Sequence, residues 1–158
     1  MKHILRFYDW GALATFSAMM ACIMIEVFSR NLLKAPTAWA EESSRLFFIW
    51  SVFLGSASAW YRGSHIIIHV LTSRLFGRTK LFFNIIVDIL SAIFLVCVWV
   101  GTIMMMYLSR AYKTTALEIR ISIFYLALLL GITGILIFHF NNMIQTFRKW
   151  FGAAKEGI

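Results

Sequence analysis

The sequence predicts an all-α integral membrane protein with four transmembrane helices and a short amphipathic helix on the membrane surface. Of its 158 residues, 61% are hydrophobic and 14% are charged, whereas a soluble domain typically carries about 25% charged residues. The apolar residues form long runs that lack the strict alternation of a membrane β-barrel, so each run is predicted to be a helix. The four runs are Trp10 to Phe28, Leu46 to Tyr61, Leu81 to Leu108, and Ile121 to Ile144.

Crossing the ~30 Å hydrocarbon core takes about 20 helical residues. The second run is short, but its helix can begin upstream at Thr37, a suitable N-cap beside Pro36. The third run is longer than it needs to be, which predicts that it tilts or protrudes. All four spans belong to one predicted domain, 1–158, and cover about 10–29, 37–61, 81–108 and 121–145.

The lysines and arginines indicate the orientation of these spans. Nine lie in the N-terminal segment, the second loop and the C-terminal tail, and six lie on the opposite side. The positive-inside rule therefore places both termini in the cytoplasm. The net charge of +8 arises from residues that flank the spans. These basic residues do not form a clustered patch of the kind that binds nucleic acids, so no nucleic-acid partner is predicted.

The start of the second span, TAWAEESSRLFFIW, combines charges with large apolar side chains. Glu41 precedes Arg45 by four residues, the favourable order for a helical ion pair, and Glu42 shares that edge of the helix. Trp39 stands where an interfacial tryptophan is expected. Two interpretations remain open: a solvated, self-neutralised helix start, or acidic residues that bind another polypeptide or loop.

Small residues recur deeper in the same span, at Ser51, Gly55 and Ala59. Small residues four apart let a neighbouring helix approach closely in lipid. That neighbour is either another helix of this chain or a helix of a partner.

The second loop predicts a helix over about 65–76 that lies on the cytoplasmic membrane surface. Arg62 stands just before this helix and is assigned to it together with His65 and His69, which fall on its polar side, whereas isoleucine, valine and leucine residues fill most of the other side. The two histidines also have the spacing of half a metal site, but no third or fourth ligand is near. No metal site is predicted.

Two ionisable residues inside the later spans predict a polar tie. Asp88 lies about seven residues into the third span, and His139 lies at a comparable depth in the fourth. A charged side chain at the centre of a span costs ~2.5–3.5 kcal/mol on insertion scales, so such groups usually pair. A proton relay is the alternative interpretation. The asparagines expected to join this tie are Asn84, Asn141 and Asn142.

The sequence contains no nucleophile motif, no glycine-rich phosphate loop and no CxxC motif. Only His139 of the four histidines lies in a span, so haem ligation by two histidines within the membrane is unsupported. No cofactor is predicted, and the chain is not expected to be an enzyme.

The run PTAWAEESSRLFFIWSVFLGSASAWYRGSHIIIHVL resembles the small membrane subunit of tripartite ATP-independent periplasmic (TRAP) transporters, the DctQ-like family. The family signature is approximately Pro-x-x-Trp-x-Glu-Glu-x-x-Arg, then an aromatic-rich span with a glycine, then Arg-x-x-His-Ile. His69 departs from it, because the family commonly has aspartate there, and the proline that often enters the fourth span is missing. The matching residues are Pro36, Trp39, Glu41, Glu42, Arg45, Trp50, Gly55, Arg62, His65 and Ile66.

The resemblance implies a partner rather than a catalyst, in the inner membrane of a bacterium. In such transporters a soluble periplasmic protein captures an organic anion and passes it to a large membrane subunit, which moves it inward with sodium ions. The small subunit is implied to brace the stationary scaffold of the large one, with phospholipids at their interface. Two other classes remain open: a membrane anchor of a redox enzyme complex, and a self-sufficient small exporter with its proton site at Asp88.

Overall fold

The computed structural model describes the backbone of residues 2–35, 37–72 and 78–155, and the side chains of residues 3–35, 37–63 and 85–144. Within these ranges the chain is all-α, as predicted. A π-helical turn, Ser29–Leu33, extends the first helix, and a 3₁₀ turn, Ser109–Ala111, extends the third. The four long helices are α1 (Lys2–Phe28), α2 (Ala38–Thr72), α3 (Arg78–Leu108) and α4 (Ser122–Lys155).

Three segments of the described chain are long and apolar enough to cross a membrane: His3–Leu33, Ile85–Ala111 and Ser122–Ile144. These correspond to the first, third and fourth predicted spans. The apolar part of α2 is less hydrophobic than those three, because serines, tryptophans and a glycine interrupt it. Its role as a fourth span therefore stays a prediction.

The start of α2 differs from the prediction in one detail. The backbone carbonyl of Thr37 accepts hydrogen bonds from the N–H groups of Ala40 (3.0 Å) and Glu41 (3.3 Å), as a residue in the N-cap position does. Its hydroxyl, however, is buried and has no hydrogen-bond partner among the residues that the structure describes. Thr37 therefore holds the predicted N-cap position through its carbonyl, without the side-chain hydrogen bond of a typical cap.

The end of α2 also differs from the prediction, which placed a separate surface helix after residue 61. Instead, α2 continues without a break through Thr72 and contains 35 residues. At 1.5 Å per residue such a helix is about 52 Å long, well beyond the ~30 Å hydrocarbon core. No proline interrupts the sequence here, and a lone glycine such as Gly63 does not stop a helix. Residues 73–76 and the side chains of His65 and His69 lie outside the described residues, so the surface position stays a prediction.

The helices are not arranged in chain order. The central helix is α2, which packs against α1 and α4, and α3 packs mainly against α4. Trp99 on α3 donates its indole N–H to the hydroxyl of Thr133 on α4 (3.1 Å). The core shared by α1, α2 and α4 consists of Tyr8, Leu54, Ala57 and Phe138.

Two glycines let α4 approach α2 and α1 closely. A Cβ atom on Gly131 would lie 2.6 Å from the backbone oxygen of Phe53, and one on Gly134 would lie 2.5 Å from the ring of Tyr8. The hydroxyl of Tyr8 in turn donates to the backbone carbonyl of Leu130 (2.9 Å), which joins α1 to α4. These contacts need glycine because any side chain would overlap its neighbours.

The predicted small-residue face of α2 is only partly used inside this chain. A Cβ atom on Gly55 would make an ordinary 3.9 Å contact with Ala12 of α1. Ser51 is half-buried, and Ala59 is exposed. The reason is rotational: helix α4 meets α2 around Phe53 and Ala57, about half a turn away from this face.

Candidate functional site

Glu42, in the first turns of α2, binds the loop between α3 and α4 through both carboxylate oxygens. Its Oε1 accepts hydrogen bonds from the backbone N–H groups of Thr115 and Ala116 (both 2.9 Å) and from the Thr115 hydroxyl (2.8 Å). Its Oε2 accepts a hydrogen bond from the N–H of Leu117 (2.8 Å). Three successive backbone N–H groups thus converge on one anion, in the manner of an anion-binding nest. We call this arrangement, Glu42 with Thr115, Ala116 and Leu117, the Glu42 clamp.

The loop is built to present those three N–H groups. The N–H of Thr114 bonds to the carbonyl of Ile119 (2.8 Å), and the N–H of Ile121 bonds to the carbonyl of Tyr112 (3.0 Å), so the loop closes as a short hairpin. Glu118 adopts a left-handed backbone conformation with φ of 53°. In this turn the N–H groups of Thr115, Ala116 and Leu117 lie at the tip, where they donate hydrogen bonds to the Glu42 carboxylate.

The hydrogen bonds of the clamp keep Glu42 ionised. The N–H of Ala116 does most to lower the pKa of this carboxyl, loss of water acts in the opposite direction, and Leu117, Thr115 and Thr114 lower it further. The pKa falls from 4.5 to about 2. Glu42 lies one turn before the apolar part of α2, outside the hydrophobic segment, and its hydrogen bonds outweigh the loss of water.

The clamp should make the stability of the chain depend on pH in the acid range. Because the pKa of Glu42 is lower in the folded protein, its contribution to stability is fully present above about pH 4.5 and is lost as the pH falls towards about 2. We expect the difference in unfolding temperature between wild type and Glu42→Gln to shrink across that window. The control is Glu41→Gln, which should keep the wild-type decline; a constant difference for Glu42→Gln would contradict the assignment.

The neighbouring acid behaves differently. Glu41 pairs with Arg45 on the next turn, Oε1 to Nη2 at 3.0 Å, and both side chains are largely exposed. An exposed pair of this kind contributes ~0–1 kcal/mol. Glu41 therefore matches the interpretation of a self-neutralised helix start, whereas Glu42 binds a loop, and that loop belongs to its own chain. Of the two tryptophans in this stretch, Trp39 is exposed and Trp50 packs against the core.

A second polar cluster joins α1 to α2 near the start of α1. Asp9 accepts a hydrogen bond from the hydroxyl of Ser58 and pairs with Arg62, Oδ2 to Nη2 at 2.7 Å. Arg62 was predicted as a residue of the surface helix, but it continues the face of α2 that meets α1. Sequence reasoning missed Asp9, although an acidic residue at the edge of an apolar run was a usable signal.

Two polar residues of the later spans, His139 and Asp88, meet at the backbone of Asp88. His139 and Asp88 are both buried, and His139 Nε2 lies 2.9 Å from the backbone carbonyl oxygen of Asp88. Because a carbonyl only accepts, Nε2 carries the proton. The ring of Trp60 meets His139 edge-on, with centroids 5.6 Å apart. Asn141 and Asn142 are half-buried, and the side chain of Asn84 lies outside the described residues.

The fold defines a multi-pass helical membrane protein in which Asp9, Glu42 and His139 each bind another helix or loop of the same chain. The chain matches the family of tripartite ATP-independent periplasmic transporters, DctQ component, over residues 19–149. It therefore belongs to that family, which confirms the resemblance carried by residues 36–66. The family is a transporter component of the bacterial inner membrane and not an enzyme, so the redox-anchor alternative is set aside.

Two relatives are similar over part of their length. The sialic acid TRAP transporter permease protein SiaT of Haemophilus influenzae is 28% identical over 90 residues, 57% of this chain and 15% of that protein. The sialic acid TRAP transporter small permease protein SiaQ of Vibrio cholerae is 28% identical over 103 residues, 65% of this chain and 57% of that protein. The aligned segment thus spans less than two thirds of either relative.

Proposed function

We propose that this chain is the small permease subunit of a TRAP secondary transporter and braces the scaffold of the large subunit. The large subunit moves an organic anion inward with sodium ions, and a periplasmic binding protein delivers that anion. The Glu42 clamp is the observation that best supports a bracing role. It joins the start of α2 to the loop between α3 and α4. The α1–α2 pair and the α3–α4 pair therefore resist movement against each other.

The outer faces of the bundle suit a subunit that binds lipid on one side and protein on another. Large apolar side chains are exposed along α1 and along α3. Apolar faces of this size need cover from lipid tails or from apolar helices of a partner. On α1 the exposed set includes Phe7, Trp10, Leu13, Phe16 and Met24, and on α3 it includes Leu90, Phe94, Val100, Met104 and Tyr107.

The proposed orientation has four crossings and both termini in the cytoplasm. It places the Glu42 clamp at the periplasmic surface, beside the exposed Trp39 and the Glu41–Arg45 pair, where the large subunit or the binding protein can contact them. Single cysteines at positions 34 and 78, in a background without Cys22 and Cys97, test this orientation. An impermeant reagent added to spheroplasts should label position 34 only, and labelling of position 78 alone would invert the topology.

Copurification tests the proposed function directly. A tagged form of this chain should retain the large membrane subunit of its own transporter through detergent extraction, with phospholipid at their interface. Uptake in proteoliposomes should require both membrane subunits and the binding protein, and should depend on a sodium gradient. Transport by this chain alone would contradict the bracing role and favour the exporter alternative.

A further inference from the structure

An open groove lies between α1 and α2 on the surface of the bundle, with a volume of about 440 Å³. That volume falls within the ~300–1,000 Å³ of typical ligand pockets. The one polar side chain in its lining, Ser51, donates its hydroxyl to the backbone carbonyl of Phe48 (2.8 Å). An apolar occupant therefore fits best. The lining residues are Ala12, Leu13, Phe16, Phe48, Ser51 and Val52.

Two arginines stand on the same helix faces as the groove, towards the start of α1. Arg6 precedes Leu13 by seven residues, and Arg62 follows Ser51 by eleven, spacings that keep each pair on one face of its helix. Asp9 holds the guanidinium of Arg62 at 2.7 Å, yet the Arg62 side chain remains 64% exposed. Arg6 is exposed and forms no ion pair with any residue in the described part of the chain. This end of the groove carries net positive charge.

Aromatic side chains mark the depth of these arginines. Trp10, beside Asp9, is 68% exposed, and Tyr61, beside Arg62, is 40% exposed. Tryptophan and tyrosine are enriched at the level of the lipid headgroups, which indicates that depth for Trp10 and Tyr61. At 1.5 Å per residue the groove begins ~9 Å beyond Arg6 along α1, at Ala12, and ~15 Å beyond Arg62 along α2, at Val52, so it lies at the depth of the acyl chains. An anion at headgroup depth that continues into an apolar groove has the chemistry of a phospholipid.

We propose that α1 and α2 together bind one phospholipid, with its phosphate at Arg6 and Arg62 and an acyl chain in the groove. Arginine donates to phosphate oxygens with several N–H groups, and the ion pair with Asp9 holds one of the two guanidinium groups in position before the lipid binds. This site goes beyond the lipids proposed at the interface with the large subunit, because this chain forms it alone. It requires only that the chain lies in a membrane, so it stands or falls independently of the bracing role.

The test is native mass spectrometry of the purified full chain in detergent, titrated with phosphatidylglycerol and, separately, with diacylglycerol. We expect wild type to retain one molecule of phosphatidylglycerol. Retention of diacylglycerol, which has no phosphate, should be at least several-fold lower. Arg6→Gln removes a cation without disturbing the pair between Asp9 and Arg62, and Ser51→Phe fills the groove. Each variant should lower retention of phosphatidylglycerol several-fold.

Matched controls separate a site from general attraction to lipid. Arg30→Gln removes an exposed arginine in the π-helical turn after α1, and Val96→Phe enlarges an exposed apolar side chain on α3. Both should retain lipid as wild type does, and unfolding temperatures should show that all four variants fold. Equal retention in every variant, or an equal loss in Arg6→Gln and Arg30→Gln, would overturn the proposal. So would a bound second copy of the chain in place of lipid, or a Ser51→Phe variant that keeps the lipid as wild type does.

Discussion

Replacing Glu42 by glutamine is expected to release the α3–α4 loop, lower the unfolding temperature and reduce uptake by the assembled transporter several-fold. The carboxylate accepts four hydrogen bonds with its two oxygens. Glutamine has one carbonyl oxygen, and its amide group would point N–H donors at the N–H of Leu117 or at those of Thr115 and Ala116. Backbone N–H groups at the tip of the loop would then lose their partner, although size and helix propensity are preserved.

The control for this prediction is Glu41→Gln, which removes the same charge from the preceding residue. Because Glu41 forms only an exposed pair with Arg45, this variant should insert, fold and support uptake almost as wild type does. Hydrogen exchange at Thr115, Ala116 and Leu117 should rise in Glu42→Gln and stay low in Glu41→Gln. Equal losses of uptake in the two variants, with unchanged exchange in the loop, would mean that both acids act on a partner and that the clamp is incidental.

Replacing Gly131 by alanine is expected to separate α4 from α2. The added methyl group would lie 2.6 Å from the backbone oxygen of Phe53, and a backbone atom cannot rotate away as the end of a side chain can. Overpacking of a core typically costs ~1–3 kcal/mol, which exceeds the ~1 kcal/mol that alanine gains over glycine in a helix. The unfolding temperature in detergent should therefore fall.

Gly101 on α3 provides the matched control, since a Cβ atom there meets nothing within 4 Å. Gly101→Ala should leave the unfolding temperature unchanged or raise it, because only the gain in helix propensity remains. An unfolding temperature for Gly131→Ala equal to that of Gly101→Ala would show that α4 shifts at no cost, and that close packing at Gly131 is not needed.

Local properties of the chain were predictable from the sequence. The all-α membrane class follows from composition and from the length of the apolar runs, because lipid leaves few ways to satisfy a backbone. The pair of Glu41 with Arg45 follows from their four-residue spacing on one helix. The approach of His139 to Asp88 follows from the comparable depth of the two residues, although counting could not show that the histidine binds the backbone carbonyl of Asp88.

Contacts between distant segments depend on how each helix is rotated about its axis and which helix lies beside it. The order α1, α2, α4, α3 decides that Gly131 meets Phe53, and that the stripe of Ser51, Gly55 and Ala59 is only partly covered. It also decides that Arg62 binds Asp9 on another helix. Hydrophobic periodicity is similar for many such arrangements, so only tertiary packing selects one of them.

The sequence by itself determined that this protein lies in a membrane, that it is all-α and which family it belongs to, because those depend on composition, on the length of the apolar runs and on a motif in register. Only the tertiary structure decided what Glu42 does. Its hydrogen-bond donors lie 73 to 75 residues away along the chain, in a loop whose N–H groups converge only after α3 and α4 have packed. The sequence around Glu42 fits a solvated carboxylate as well as a hydrogen-bonded one. The position of the N–H donors in the folded chain distinguishes these two states.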